Sequence, residues 1–430
     1  MIDRGLKEEL ASKRFEDFII PSYESFCLSN VPAAIASFFG LKTREATLLE
    51  PYISRKVAVD DPRNIVLIVL DGFGYGAWLK AIYSRGFFQT VTDRGFVFPI
   101  TTVFPSATPA ALTTLATGLT PQEHGLPEWY VYLERLDMII ATLPFSPMGV
   151  AERDTLLGKM DPRNLFSGET VYRSLKRGKV DSLALIPSAN SNSAYTRMAL
   201  GGSQVIPYQS PAECAVLLRQ RLKSLKRKTF FTAYYDSIDS IAHKCGPNSE
   251  EWRGEISALS QVLQREFLDK MDKLTARRTL LIVTADHGQI NVNPNETVYL
   301  NEHRKLVRDF EKSPRGKTIL PSWGARDLAL HVREDKVDQV ESMLSENLKG
   351  RALVLRTKEA VRMGLFGLNK ASPRFSRRAG DILILPRQKN TIWYQHPEGK
   401  RFHFLGAHGG LTEDEVLIPF AASTLSDLTS

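Results

Sequence analysis

The chain has 430 residues, a length that suits two or three domains or one large α/β domain with insertions. Hydrophobic residues make up 43% and charged residues 24%, the balance of an ordinary soluble globular protein, and no apolar run reaches membrane-spanning length, which excludes a bundle of transmembrane helices. A formal charge of +8 and a sequence pI near 9.2 suit anionic substrates, nucleic acid or an acidic membrane surface, but the excess is spread over the whole chain and selects none of them.

Residues 1 to about 60 combine a charged helical start with PSYESFCLSNVPAAIASFFGL, whose apolar spacing from Val31 to Leu41 predicts a short buried helix. The N-terminus mixes charges where a secretory signal needs an apolar core, and the widely spaced Cys27, Cys214 and Cys245 form no CxxC pair. Both features predict a reducing, cytoplasmic setting. Asn64 to Leu70 (NIVLIVL) is a continuous β-branched run of the kind buried on both faces of a parallel sheet, and Asp71 follows it. Runs of the same type lie at Val180 to Ile186, Thr229 to Tyr235, Thr279 to Thr284 and Asp381 to Leu385, with helical stretches at Pro211 to Leu225 and Glu250 to Ala276. This alternation predicts an α/β fold, a mainly parallel central sheet with helices on both faces.

From Val292 to His403 the rhythm changes. A polar loop, a strand-like run Asp327 to Val332, a helix Lys336 to Leu348, a strand-like run Ala352 to Leu355 and a basic loop predict a small inserted α+β subdomain. The expected division is a catalytic α/β domain of residues 1–291 and 404–430, interrupted by a cap or accessory subdomain of residues 292–403. The basic clusters Lys223 to Lys228 and Arg374 to Arg378 read as solvated faces.

The stretch TTVFPSATPAALTTLATGLTPQEHG, Thr101 to Gly125, places Thr108 at the start of a helix that resumes after Pro109. Alone, such a threonine reads as an N-cap. Beside a phosphate it reads as a nucleophile, because the helix N-terminus favours an anion. A hydroxyl is barely ionised at neutral pH, and two close divalent cations would both lower its pKa and clamp the phosphoryl oxygens. Such a site needs about six Asp and His ligands. The candidates are Asp71 after the first strand, Asp239 and His243 on one face of a helix in DSIDSIAHKCGP, Asp286 and His287 at the end of LLIVT, and His408 in GAHGG.

LDGFG, FPSATPAALTTLATGLTPQEHG, DSIDSIAHKCGP, VTADHG and GAHGG resemble, in order, the motifs of the alkaline phosphatase superfamily, specifically its type I phosphodiesterase/nucleotide pyrophosphatase branch. The resemblance implies a phosphoesterase that hydrolyses phosphodiester or pyrophosphate bonds through a covalent phosphothreonine on Thr108. It also implies one cation held by Asp71, Asp286 and His287 with Thr108, and a second held by Asp239, His243 and His408. Zinc suits this set, and manganese or iron would also be accepted. His124 is expected to stabilise its loop. The family's Asn twenty-one residues beyond the nucleophile, which helps hold a phosphate oxygen, is here Trp129, and its Asn three residues beyond is Ala111; in their place Trp129, Tyr130 and Tyr132 are expected to offer a stacking or apolar wall for the leaving group. The expected partner is a small phosphate ester, nucleotides among them, with no nucleic acid as a structural partner. A phosphomonoesterase or phosphonate hydrolase is the first alternative, and a non-catalytic basic protein binding anionic partners the second. Thr108 to Leu112 lacks the Cys or Ser start and the Arg of a sulfatase motif, and the insert is smaller than a phosphomutase requires.

Overall fold

The β-branched run Asn64–Leu70 (β1) forms the middle strand of a seven-stranded sheet in the computed structural model, which describes residues 2–42, 48–58, 61–303, 305–399 and 401–429. The other strands are Phe96–Thr101 (β2), Asp181–Pro187 (β3), Gln204–Tyr208 (β4), Thr229–Tyr235 (β5), Thr279–Ala285 (β6) and Leu417–Thr424 (β7). Their order is β2-β7-β6-β1-β5-β3-β4, and β7 alone runs against the rest. Every residue of β1, β5 and β6 is buried, so both faces of the sheet centre are covered. This is the α/β architecture that the alternation of runs predicts.

β2, β4 and β7 are absent from the sequence-based expectation, and each carries a proline, Pro99, Pro207 and Pro419. Proline cannot donate to a strand ladder and demotes a run as a strand candidate. Here β2 and β4 are the two edges of the sheet, and Pro419 lies opposite Pro99.

Two predicted elements differ. The run at Asp381 to Leu385 is not in the central sheet; Ile382–Pro386 is the middle strand of a separate antiparallel sheet between Leu328–Leu330 and Ala352–Arg356. Its Ile382 and Ile384 pack into a local cluster with Leu300, Phe310 and Leu344, whereas Leu383 and Leu385 join the main core. Burial on both faces therefore produces the continuous apolar run in an antiparallel strand. The predicted long helix from Glu250 ends at Val262, continues as a wider turn over Leu263–Leu268, and restarts at Lys273–Ala276, where the Asp272 side chain accepts the Thr275 N–H at 2.9 Å. Among the described residues no helix is long and apolar enough to cross a membrane.

Register positions the site. Leu70 of β1 pairs with Tyr235 of β5 and with Ala285 of β6, so Asp71, Asp236 and Asp286 leave the three central strands at one level. That edge, at the C-terminal ends of parallel strands, is where open α/β sheets present their ligands.

Candidate active site

Six side chains converge above this edge. Asp286 Oδ1 accepts the N–H groups of Gly72 at 3.1 Å and of His287 at 2.8 Å, which leaves Oδ2 facing inward. Gly72 has φ +69°, and a Cβ there would lie 3.0 Å from Asp239, so glycine lets the strand end turn beneath that carboxylate. Asp239 and His243 stand one turn apart on the helix Ser237–Cys245. Gly406 passes so close to this helix that a Cβ would sit 2.4 Å from the Ala242 carbonyl. That approach lets the Gly406 carbonyl accept the His243 Nδ1 proton at 2.8 Å.

All three histidines share this orientation. His408 Nδ1 donates to the Ser106 carbonyl at 3.0 Å, and His287 Nδ1 donates to the Gly288 carbonyl at 3.0 Å. A carbonyl only accepts, so each Nδ1 carries a proton and each Nε2 is turned into the site. His287 Nε2 lies 3.5 Å from Asp71 Oδ1 and 3.4 Å from Asp286 Oδ2. His243 Nε2 lies 3.3 Å from Asp239 Oδ2 and 3.2 Å from His408 Nε2. The His287 and His408 rings stack with centroids 3.7 Å apart, which joins the two halves of the cluster.

The donor atoms of Asp71, Asp286 and His287 lie within 4.8 Å of one another, as do those of Asp239, His287 and His408, so both groups could hold a metal ion. Asp71 Oδ1, Asp239 Oδ1 and Asp286 Oδ2 are buried without a hydrogen-bond partner, and among the described residues no lysine or arginine pairs with these carboxylates. Burial and the neighbouring Asp286 and Asp239 push the Asp71 carboxyl well above its usual range. Burial likewise raises Asp286. Burial acts most strongly on Asp239, but the neighbouring His243, His408 and His287 together more than offset it and hold this carboxyl below its usual value. The buried carboxylates of Asp71 and Asp286 and the half-buried one of Asp239, each with an orphaned buried oxygen, form with three inward imidazole nitrogens a donor set suited to divalent cations.

Thr108 opens the helix Thr108–Thr117, and its Oγ1 lies 3.0 Å from His287 Nε2. The residue before it, Ala107, occupies the cap position with extended backbone, so the Thr108 hydroxyl is not used as an N-cap. It points from the positive end of the helix into the cluster.

The remaining singled-out residues separate. Trp129 lines a cavity of about 270 Å³ that begins at Asp71, Thr108 and Asp239. Tyr130 lies outside that lining and packs edge-on to Trp393, with centroids 6.4 Å apart. Ala111 is buried in the helix. His124 is buried, with Nε2 3.2 Å from Thr114 Oγ1 and Nδ1 accepting the Leu126 N–H at 3.1 Å, so it ties its loop to the Thr108 helix.

Sequence reasoning passed over four neighbours. The Tyr234 hydroxyl donates to Asp71 Oδ2. Ser106 joins the nucleophile loop to the GAHGG loop: its Oγ donates to the Gly410 carbonyl at 2.7 Å and accepts the Gly409 N–H at 3.1 Å. Glu128 and Asp327 are buried close together, since a Cβ on Gly324 would meet Oδ1 of Asp327 at 2.6 Å and Oε1 of Glu128 at 3.1 Å. Burial pushes the Glu128 carboxyl up to about 8, with His243 opposing, and burial together with Glu128 raises Asp327 well above its ordinary value. Alternation along β5 was the signal for Tyr234, which stands two residues before Asp236. No pattern marks the other three.

A family model described as type I phosphodiesterase / nucleotide pyrophosphatase matches residues 65–411. Venom phosphodiesterase CdcPDE of Crotalus durissus collilineatus is 26% identical over 215 residues, covering 48% of this chain and 24% of that protein. Ectonucleotide pyrophosphatase/phosphodiesterase family member 3 of Rattus norvegicus is 26% identical over 211 residues, covering 47% of this chain and 22% of that protein. The matches thus span less than a quarter of the length of these relatives. Murine ectonucleotide pyrophosphatase / phosphodiesterase 5 superposes with a TM-score of 0.61 at 17% identity, covering 84% of this chain and 88% of that one. An inactive variant of the same murine protein in complex with AMP gives 0.61 at 18% identity, covering 85% and 92%. With the family model spanning most of its length, the chain belongs to the type I phosphodiesterase / nucleotide pyrophosphatase family.

Proposed function

We propose that this protein is a metal-dependent phosphoesterase that hydrolyses a phosphodiester or pyrophosphate bond through a covalent phosphothreonine on Thr108. The observation that carries the reading is the Thr108 hydroxyl, 3.0 Å from His287 Nε2 and beside three carboxylates that each have one buried, unpartnered oxygen in need of positive charge. Asp71, Asp286 and His287 would hold one divalent cation and Asp239, His243 and His408 a second, with zinc the ion that best suits the donors. Bound there, such cations lower the pKa of the hydroxyl and neutralise charge gathering on the phosphoryl oxygens.

The chain's own residues then position and exclude. Thr108 Oγ attacks phosphorus at the positive end of its helix, the bond to the ester leaving group breaks, and water later cleaves the phosphothreonine. Ser106 and Gly406 hold His408 and His243 through backbone carbonyls, so the imidazoles cannot turn away as charge moves. Trp129 lines the cavity beside Thr108 and offers an apolar surface. Residues 292–403 are read as an accessory subdomain fastened beside the site by the Arg326 to Glu415 pair.

Acid quenching during turnover of a diester, followed by mass spectrometry of the peptide containing Thr108, tests this reading. The expected result is one phosphoryl group on Thr108. Phosphorylation at another residue, or undiminished turnover by Thr108→Ala, would overturn it.

A further inference from the structure

We propose that Glu311, His331 and Asp381 form a further cation site, separate from the Thr108 cluster, which takes a divalent transition-metal ion such as zinc. The bound ion clamps the small antiparallel sheet within residues 292–403 against the strand Tyr130–Leu133 that follows Trp129.

Strand register brings the three side chains together. Leu330 pairs with Ile382 in an antiparallel ladder, so His331 falls opposite Asp381. On the other side Phe310 bridges Val332, again antiparallel, so His331 also falls opposite Glu311. Backbone hydrogen bonds fix both pairings: the Asp381 N–H donates to the Leu330 carbonyl at 2.7 Å, and the Glu311 N–H donates to the His331 carbonyl at 2.9 Å. Side chains opposed in this way share one face and touch. Glu311, His331 and Asp381 thus form a row across three neighbouring segments, and one donor atom from each lies within 4.8 Å of the others.

Alternation decides which face carries the row. Leu330, Val332 and Ile382 pack into the local cluster, whereas Ala329 and Leu383 join the main core, so His331 and Asp381 face the main body. There the imidazole meets the Tyr132 ring edge-on, with centroids 5.6 Å apart.

Ordinary packing leaves this histidine unexplained. His331 is only 6% exposed, yet among the described residues neither ring nitrogen makes a hydrogen bond. Nδ1 faces Glu311 Oε2 at 3.9 Å, beyond hydrogen-bond reach, and the Tyr132 hydroxyl is engaged with Asp137 at 3.0 Å. Asp381 Oδ2 accepts the Val332 N–H at 2.9 Å, which leaves Oδ1 for another partner. No described lysine or arginine pairs with Glu311 or Asp381. Burial raises both carboxyls; Asp381 and Glu134 raise Glu311 further, and Lys358 partly opposes the rise at Asp381. Burial also holds the imidazole neutral, down to about 4, and the neutral ring is the form that a cation takes.

The donors select the ion. Two carboxylate oxygens and one imidazole nitrogen suit zinc and its neighbours, whereas calcium and magnesium take oxygen alone. Ligand atoms about 2.0 Å from a tetrahedral ion stand roughly 3.3 Å apart, so a small rotation of the exposed Glu311 closes the 3.9 Å gap on Nδ1. With Glu311 exposed, this position exchanges its ion with solvent more readily than the buried Thr108 cluster, and it fills only while zinc is present.

Zinc binding by the full chain, at free concentrations set with a chelator buffer, tests the proposal for the native protein, Glu311→Gln and His331→Gln. Beyond the zinc retained after dialysis, the native chain is expected to bind about one further equivalent, with an affinity that falls about tenfold or more in either variant. Hydrogen exchange gives the local readout: zinc should slow exchange of the Val332 amide in the native chain and not in Glu311→Gln. Equal zinc binding by the native chain and Glu311→Gln, or equal protection of that amide, overturns the proposal. Calcium that reproduces the protection at the same free concentration overturns the assignment to a transition metal. If His331→Gln does not fold, the exposed Glu311→Gln decides alone. Both readouts are differences between native and variant, so they hold whether or not Thr108 is a nucleophile.

Discussion

Ser106 and His408, 302 residues apart in the chain, are joined by a 3.0 Å hydrogen bond from His408 Nδ1 to the Ser106 carbonyl. The same serine ties its hydroxyl to Gly409 and Gly410, so the segment leading into Thr108 also fixes the last of the six ligand-type residues. Ser106→Ala keeps the carbonyl but frees the loop. Metal affinity should fall by up to about 10-fold, the lower end of the cost of losing a partner behind a ligand outright, because the carbonyl that holds His408 remains. Chelator competition measures this, and an unchanged affinity would contradict the role assigned to Ser106.

Asp239→Asn should separate the two proposed cation positions. Asp239 groups with His287 and His408 and pairs with His243, whereas Asp71 and Asp286 group with His287 alone, so Asp239 belongs to only one of the two groups. Elemental analysis is expected to show about two cations in the native protein and about one in the variant, with diesterase activity down by about a hundredfold or more. Full occupancy in the variant would remove Asp239 from the ligand set.

Arg326 and Glu415 form a fully buried pair, with Nη2 to Oε2 at 2.9 Å and Nε to Oε1 at 3.0 Å. Burial raises the Glu415 carboxyl, and Arg326, with the Thr412 hydroxyl and the Gly410 N–H, more than offsets that effect and holds it below its usual value. Glu415 also accepts the Gly410 N–H at 3.0 Å and caps the short helix after Thr412. Arg326→Met leaves this carboxylate buried without a counter-charge, and unfolding stability should drop by about 3–5 kcal/mol. Urea denaturation monitors the loss, and a change below about 1 kcal/mol would show that the pair is not sustained in solution.

Acid should destabilise the fold through buried neutral histidines. Burial lowers His331 to about 4 and His124 to about 3, against an ordinary value of 6.5. The unfolded chain therefore takes up protons that the folded chain refuses. Their contributions are complete above pH 6.5 and are lost as pH falls through the interval down to about 4 for His331 and about 3 for His124. Each adds up to about 1.4 kcal/mol per pH unit to the slope. Urea melts between pH 7 and 5 should show a shallower decline for His331→Gln than for the native chain, and parallel slopes would contradict the assignment.

How much of this was legible in the sequence depended on periodicity and local rules. The runs Asn64 to Leu70, Thr229 to Tyr235 and Thr279 to Thr284 gave strands because burial on both faces demands unbroken apolar residues. The same signal misled at Asp381 to Leu385, where two different cores cover an antiparallel strand. Prolines concealed β2, β4 and β7, since tolerance of proline depends on edge position and pairing, which are properties of the assembled sheet. The ligand-type residues were found as strand-end and helix-face positions, and the structure brings all six together with Thr108. Ser106, Glu128 and Asp327 escaped because their significance lies in contacts across long separations, for which one sequence carries no pattern. The cavity escaped for the same reason: Leu67, Leu112 and Phe230 read as core until the elements are placed face to face.

The most direct test of the central claim is the rate of metal-loaded protein on bis(p-nitrophenyl) phosphate beside p-nitrophenyl phosphate, for the native chain and Thr108→Ala. The account predicts that the diester is hydrolysed faster than the monoester, that chelation abolishes this activity, and that Thr108→Ala lowers it by about 10³-fold or more while its melting curve is retained. Diester hydrolysis that persists in Thr108→Ala within about tenfold of the native rate would contradict nucleophilic attack by Thr108.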